Sequence, residues 1–208
     1  MDKRFEQLLL KYATESSPTE RENIERQLWR QFGTNKTVLV MDMAGFSLLT
    51  QRYGIVHYLS MVRRMQLVSE PLVRQHGGQV IKFEADNCYA VFDAPHDAVR
   101  AALAIQGAFD ALNLFTADEL DIRVSIGIDD GDVLMIGTPD FFGGPVNRAC
   151  KLGEDVAKPG EILVSDHAFQ AIPSEAGIQG SPVSFLISGI ELNAYSVAPL
   201  PHFRSPGA

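Results

Sequence analysis

From Lys36 onward the chain alternates strand-like and helix-like segments in one regular order, and that order leaves few folds open. A strand over 37–42 leads through a turn at Gly45 into a helix over 46–53 and a longer helix over 55–76, which Pro71 is expected to kink or split. Gly77-Gly78 closes that helix and starts a hairpin, with strands over 79–84 and 88–93 joined by Ala85-Asp86-Asn87. A helix over 95–114 follows, with Ala98, Ala101, Ala102, Ile105, Phe109 and Leu112 as its apolar stripe. Ile122 to Ile128 reads as a strand, Asp129-Asp130-Gly131 as a turn, and Val133 to Ile136 as the returning strand. A helix over 144–156, a strand over 161–165, a helix over 166–172 and two short strands over 184–188 and 193–197 complete the pattern.

The order β-α-β-β-α-β predicts an α+β fold, a ferredoxin-like core with a C-terminal extension. Ahead of it lies a charged segment with helical periodicity. Phe5, Leu8, Leu9 and Tyr12 share one face, and Ile24, Leu28, Trp29 and Phe32 share another. Between them Ser16-Ser17-Pro18-Thr19-Glu20 has the composition of a helix start, with serine as N-cap and proline in the first turn. Gly33-Thr34-Asn35 is expected to separate this helical pair from the rest. The expected organisation is a helical arm over 1–35, a domain over 36–200 and a flexible tail over 201–208. The arm either packs on the domain or serves dimerisation or regulation.

At 208 residues the chain can bury a substantial core. Its formal charge of −8 argues against a nucleic-acid-binding surface, which needs clustered Lys and Arg. No apolar run approaches the ~20 residues that span a bilayer, and the first thirty residues lack the apolar centre of a signal peptide. The two cysteines, Cys88 and Cys150, each sit in an apolar segment, so a disulfide scaffold is not expected. The five histidines are scattered without metal-ligand spacing. A cytoplasmic protein is expected.

Two strands end on a lone aspartate: Val38-Leu39-Val40-Met41-Asp42 and Val80-Ile81-Lys82-Phe83-Glu84-Ala85-Asp86. Strand-end aspartates commonly cap turns or helices. A pair of them can instead hold one or two magnesium-like ions, which take oxygen ligands and share them with substrate phosphates. Met43-Ala44-Gly45-Phe46-Ser47 after Asp42 is a turn tight enough to bring backbone N–H groups to a phosphate. Lys82, four before Asp86, is expected on the same sheet face, either solvated or paired with a nearby acid. In Asp140-Phe141-Phe142-Gly143-Gly144-Pro145-Val146-Asn147-Arg148-Ala149-Cys150-Lys151, a Gly-Gly-Pro turn opens a helix with Asn147 and Lys151 on one face.

Together these segments resemble the class III nucleotidyl cyclase catalytic domain, over about residues 36–198. Asp42-x-x-Gly45-Phe46-Ser47 looks like the family's first metal motif. Gly77-Gly78-x-x-Ile81-Lys82-x-x-Ala85-Asp86 looks like its second, with alanine at 85 where glycine is usual. Phe142-Gly143-x-x-Val146-Asn147-x-Ala149 resembles the ribose and transition-state segment, and Lys158-Pro159-Gly160-Glu161-Ile162-Leu163-Val164-Ser165 is similar to the late Pro-Gly-x-Ile strand. The resemblance implies that Asp42, Asp86 and the Met43 carbonyl hold two Mg2+ or Mn2+ ions per site. It implies that Lys82 and Asp140 read the base, with ATP favoured, that Gly45, Phe46 and Ser47 meet the phosphates, and that Asn147 orients the ribose. The metal residues come from one subunit of a homodimer and Asn147 and Lys151 from the other.

Three positions depart from that pattern. Lys151 stands where the family has its transition-state arginine, so a planar five-donor fork becomes a point charge. Ser188-Gly189 replaces a triphosphate-binding Lys-Gly turn, and Asp132 stands where some members have arginine. Arg148, one residue after Asn147, faces about 100° away around the helix. The reaction implied is conversion of ATP to 3′,5′-cyclic AMP and diphosphate. Its alternatives are a cyclase for GTP or a pyrimidine nucleotide, and a catalytically silent cyclase-like module that binds nucleotide or regulates a partner.

Overall fold

The computed structural model describes residues 2–137, 140–187 and 190–198. The tail expected at 201–208 and the Ser188-Gly189 turn lie outside them. In chain order the elements are α1 (Lys3–Thr14), α2 (Pro18–Phe32), β1 (Gly33–Met43), α3 (Phe46–Tyr53), α4 (Ile55–Gln75), β2 (Gln79–Glu84), β3 (Asn87–Phe92) and α5 (Pro95–Asn113). Then come β4 (Val124–Ile136), β5 (Asp140–Phe142), α6 (Gly144–Cys150), β6 (Ile162–Ser165), α7 (Asp166–Gln170), β7 (Gly180–Ile187) and β8 (Ile190–Val197).

The strands form one sheet in the order β2-β3-β1-β4-β6-β8-β7, with β5 paired to β4. The first four are mutually antiparallel, the ferredoxin-like arrangement that the element order predicts. β6 joins β4 in parallel, and the β7–β8 hairpin extends the sheet beyond it. β1 is central and covered on both faces, which is why Val38-Leu39-Val40-Met41 is uniformly apolar. Leu39, Met41 and Met43 pack with Met61, Met65 and Ile105 of α4 and α5, while Val38 and Val40 meet Ala149 of α6 on the other face.

The hairpin expected at Asp129-Asp130-Gly131 is absent: β4 is one continuous strand paired with β1 from Val124↔Met43 to Leu134↔Gly33. Each of the three residues has a use inside the strand. Asp130 accepts from the Thr37 hydroxyl at 2.6 Å, and Asp129 accepts from Arg148 and Ser165. Gly131 has φ of 143° and lies so close to the start of α6 that a Cβ would sit 3.1 Å from Pro145. The Asp-Gly pair therefore marks a helix landing on a strand, not a chain reversal.

α4 runs unbroken through Pro71. The carbonyl that Pro71 leaves without a donor belongs to Leu67, which is exposed, so water can satisfy it. Gly33-Thr34-Asn35 is the beginning of β1 and not a linker, because α2 ends on Gly33 and the ladder with β4 starts there. Ser17 caps α2 as its sequence predicts. Phe5, Leu8, Ile24 and Leu28 pack with Ile136 at the far end of β4, whereas Leu9, Tyr12 and Trp29 stay partly exposed. The helix expected over 144–156 is α-helical only to Cys150 and continues as a π-helical turn over Lys151–Val156. α7 stops at Gln170, and the last two strands are longer than expected, at eight residues each. No described helix is long and apolar enough to cross a membrane, and both cysteines are free thiols.

Candidate active site

Asp42 is the penultimate residue of β1, opposite Asn87 of β3 and Ser125 of β4. Asp86 lies in the β2–β3 turn, and its backbone carbonyl accepts from the Met43 N–H at 3.3 Å, which ties the two aspartate segments together. The turn residue Ala85 has φ of 52°, in the left-handed region that costs a non-glycine residue about 1–2 kcal/mol. A bulge at Ile81 breaks the β2–β3 register, and Asp86 sits past the end of β2 with its carboxylate turned toward Tyr58 of α4. Because β2 ends at Glu84, strand alternation does not carry on from Lys82 to Asp86, and the sheet-face expectation fails for that pair.

The electrostatics of this corner are those of crowded acids. Burial, then the charges of Asp86 and Glu154, push the Asp42 carboxyl up to about 6, against the opposing pull of the Met43 N–H. Tyr58, almost fully buried, donates to Asp86 Oδ2 at 2.5 Å. Burial first, and that bond second, hold the tyrosine hydroxyl protonated. Among the described residues no three His, Cys, Asp or Glu side chains form a ready-made metal cage. A pair of carboxylates short of positive charge is nevertheless a donor set that fits a magnesium-like ion, which keeps its other positions for water and phosphate. The neighbouring turn at Gly45 opens α3, whose first N–H groups have no side-chain cap. Phe46 and Ser47 are both exposed there, with the Phe46 ring edge-on to Tyr58 at 4.8 Å.

A second group of candidates gathers on the α6 side of the sheet. The Lys82 ammonium lies 2.9 Å from Glu84, 3.5 Å from Asp140 and 5.1 Å from the centre of the Tyr89 ring. Asp140 opens β5, which leads directly into α6 with Asn147 exposed and Lys151 half-buried. The Lys151 N–H still bonds the Asn147 carbonyl, so the two share a face as their spacing predicts. α6 can lie this close because residue 127 of β4 is glycine: a Cβ there would be 2.1 Å from the Ala149 carbonyl and 2.4 Å from the Gly153 nitrogen. No hydrogen bond or ion pair among the described residues joins Asn147 or Lys151 to Asp42 or Asp86.

The sequence model described as the adenylate and guanylate cyclase catalytic domain matches residues 30–182. The chain belongs to that family. A Rhizobium meliloti (strain 1021) protein named "Putative adenylate cyclase 3" is 32% identical over 146 residues, which is 70% of this chain and 23% of that protein. A solved adenylate/guanylate cyclase/hydrolase from Silicibacter pomeroyi superposes with a TM-score of 0.66 at 30% identity, covering 80% of this chain and 98% of the other. The adenylyl cyclase CyaB from P. aeruginosa shares the fold with a TM-score of 0.70 at 20% identity, over 82% and 97%. This cyclase domain spans only 16–32% of the length of the curated relatives it matches.

Three residues at the candidate site escape sequence reasoning. Tyr58 is one apolar-stripe position among many in a 21-residue helix. Glu154, whose charge acts on Asp42, lies in the π-helical turn after α6, which no helical spacing anticipates. Tyr89 reads as an ordinary strand aromatic. The signal within reach was Glu84, two residues from Lys82 and the nearest acid to it. Arg148 is engaged by the buried Asp129 at 2.6 Å, away from Asn147, as its angular offset predicts.

Proposed function

We propose that this chain is an adenylate cyclase that converts ATP to 3′,5′-cyclic AMP and diphosphate in a homodimer with shared sites. The observation that carries this reading is the Lys82–Asp140 pair, an ammonium and a carboxylate 3.5 Å apart. Adenine offers a ring-nitrogen acceptor beside an exocyclic amine donor, which such a pair complements, whereas guanine presents an oxygen acceptor where the amine would be. Asn147 orients the ribose, and the N–H groups at Phe46 and Ser47 receive phosphate oxygens at the open start of α3. The 3′-oxygen forms a bond to the α-phosphorus as the bond to diphosphate breaks, in line. Lys151 sets a cation beside the transferring phosphoryl group.

Asp42 and Asp86, with the Met43 carbonyl, would hold two Mg2+ or Mn2+ ions, which supply charge to the triphosphate and lower the proton affinity of the 3′-hydroxyl. One chain carries the aspartates and the Asn147–Lys151 helix as two unlinked groups, so a two-fold dimer gives two equivalent complete sites. Lysine at 151 favours the second reading, a cyclase-like module that binds nucleotide without turnover. The deciding experiment incubates the purified chain with each of the four nucleoside triphosphates and Mg2+ or Mn2+ and weighs the products. Cyclic AMP as the main product is expected; cyclic GMP, a cyclic pyrimidine or no product overturns the proposal.

A further inference from the structure

Tyr89 faces Lys82 across the β2–β3 ladder, and three of its contacts reach three different parts of the site. Its ring face lies 5.1 Å from the Lys82 ammonium. Its ring meets Phe141, the residue after Asp140, in a near-perpendicular arrangement with centroids 6.5 Å apart. Its hydroxyl donates to Glu154 Oε1 at 3.2 Å, in the π-helical turn that begins with Lys151. Lys82, meanwhile, has two carboxylates to choose between. Glu84 is the nearer, at 2.9 Å on a largely exposed side chain, and Asp140 stands at 3.5 Å.

We propose that Tyr89 is the positioning residue that holds Lys82 beside Asp140, and that it thereby sets the preference for ATP over GTP. This rests on the base-reading role given to Lys82 and Asp140 above. The ring attracts the ammonium through its quadrupole and, against the pull of Glu84 at 2.9 Å, keeps it within 3.5 Å of Asp140. The contact with Phe141 fixes β5, and so Asp140, relative to the same ring. The hydroxyl bond to Glu154 adds to the packing that holds the ring in place. Without the aromatic face, Lys82 gives up its position between the two acids for Glu84 alone, and Asp140 faces the base without it.

The test compares Tyr89→Phe, Tyr89→Leu and Tyr89→Trp with the wild-type chain, reading the ratio of affinities for fluorescent mant-ATP and mant-GTP, and the ratio of kcat/KM where product forms. Tyr89→Leu is expected to lower the ATP-to-GTP ratio by about tenfold, the size of a partly desolvated cation–π contact. Tyr89→Phe and Tyr89→Trp keep a ring face and are expected to stay within about threefold of wild type. A packing role alone would weaken both nucleotides in parallel and leave the ratio unmoved, and that result overturns the proposal. Glu84→Gln tests it without touching the core: removing the competing acid should raise the ratio in the wild type and restore it in the Tyr89→Leu background, and an unchanged ratio in both overturns it. Lys82→Met separates the two levels. If it leaves the ratio unchanged, the base-reading role itself fails and takes this proposal with it. If Lys82→Met lowers the ratio and Tyr89→Leu does not, only the role of Tyr89 is lost.

Discussion

The hydroxyl of Tyr58 donates to Asp86 Oδ2 at 2.5 Å, from a ring buried in α4 to a carboxylate in the β2–β3 turn. This is the one side-chain hydrogen bond to Asp86 among the described residues, so it fixes which way the second aspartate points. A hydrogen bond to a charged group contributes about 1.5–3 kcal/mol, and the partial exposure of Asp86 places this one at the lower end. Tyr58→Phe keeps the ring and its edge contact with Phe46. It is expected to lower the unfolding free energy in urea by about 1–2 kcal/mol. It should also raise the Mg2+ concentration for half-maximal cyclase activity about tenfold, as loss of an orienting partner does at metal sites. An unchanged metal midpoint would show that Tyr58 serves the fold alone.

Asp42 gives a pH dependence with a definite sign. Its carboxyl titrates at about 6 in the folded chain against 3.8 for an ordinary aspartate, chiefly because it is buried. Between those values the folded state binds more protons than the unfolded one, so stability falls as pH rises through the window. At pH 7.5 the metal-free chain therefore carries the full cost of an ionised, crowded carboxylate. Asp42→Asn removes it. The metal-free variant is expected to melt a few degrees above the wild type at pH 7.5 and to lose that advantage below about pH 4. Cyclase activity should be abolished in the same variant. A melting temperature lower than wild type at pH 7.5 would contradict the assignment.

Element type was legible wherever one period dominated. The 21-residue helix α4, the alanine stripe of α5 and the apolar runs of β1 and β3 are visible in the residues alone. What escaped were features set by contact between segments. Asp129-Asp130-Gly131 has turn composition, but its acids are satisfied across the sheet by Thr37, Arg148 and Ser165. The π-helical turn contains Gly153, whose close approach to the Val40 carbonyl and Gly127 no local propensity encodes. In the candidate site the individual residues were legible through their motifs. Their partners Tyr58, Tyr89 and Glu154 were not, because Tyr58 bonds Asp86 across 28 residues and Tyr89 bonds Glu154 across 65.

Arg148 and Asp129 test whether the cation next to Asn147 has a structural use. Asp129 is fully buried and accepts from Arg148 Nε at 2.6 Å and from the Ser165 hydroxyl. Burial raises its proton affinity, and Ser165 and Arg148 oppose that. Removing one partner leaves a buried charge uncompensated, so Arg148→Leu is expected to cost about 2–3 kcal/mol in urea unfolding, less than a fully enclosed pair because Arg148 is 44% exposed. The deficit should shrink toward low pH, where Asp129 takes up a proton, and Arg148→Leu with Asp129→Asn should recover most of it. A stability loss independent of pH would mean that packing, not charge, holds α6 on β4.

Lys151 places the sharpest demand on the proposed reaction. A lysine keeps the charge of the family's arginine but cannot present two parallel donors to the transferring phosphoryl group. Losing a transition-state donor outright costs about 10²–10³ in rate, and a retained cation recovers part of that. Lys151→Arg is therefore expected to raise kcat about tenfold with little change in KM, and Lys151→Ala to lower it about a hundredfold. The proposed sharing of sites across a dimer adds a second test of the same helix. Asp42→Ala and Asn147→Ala proteins should each be inactive alone. Mixed in equal amounts they should form heterodimers with one intact site and regain part of the wild-type rate. If mixing restores nothing while the two proteins demonstrably co-assemble, the aspartates and Asn147 do not meet across a dimer interface.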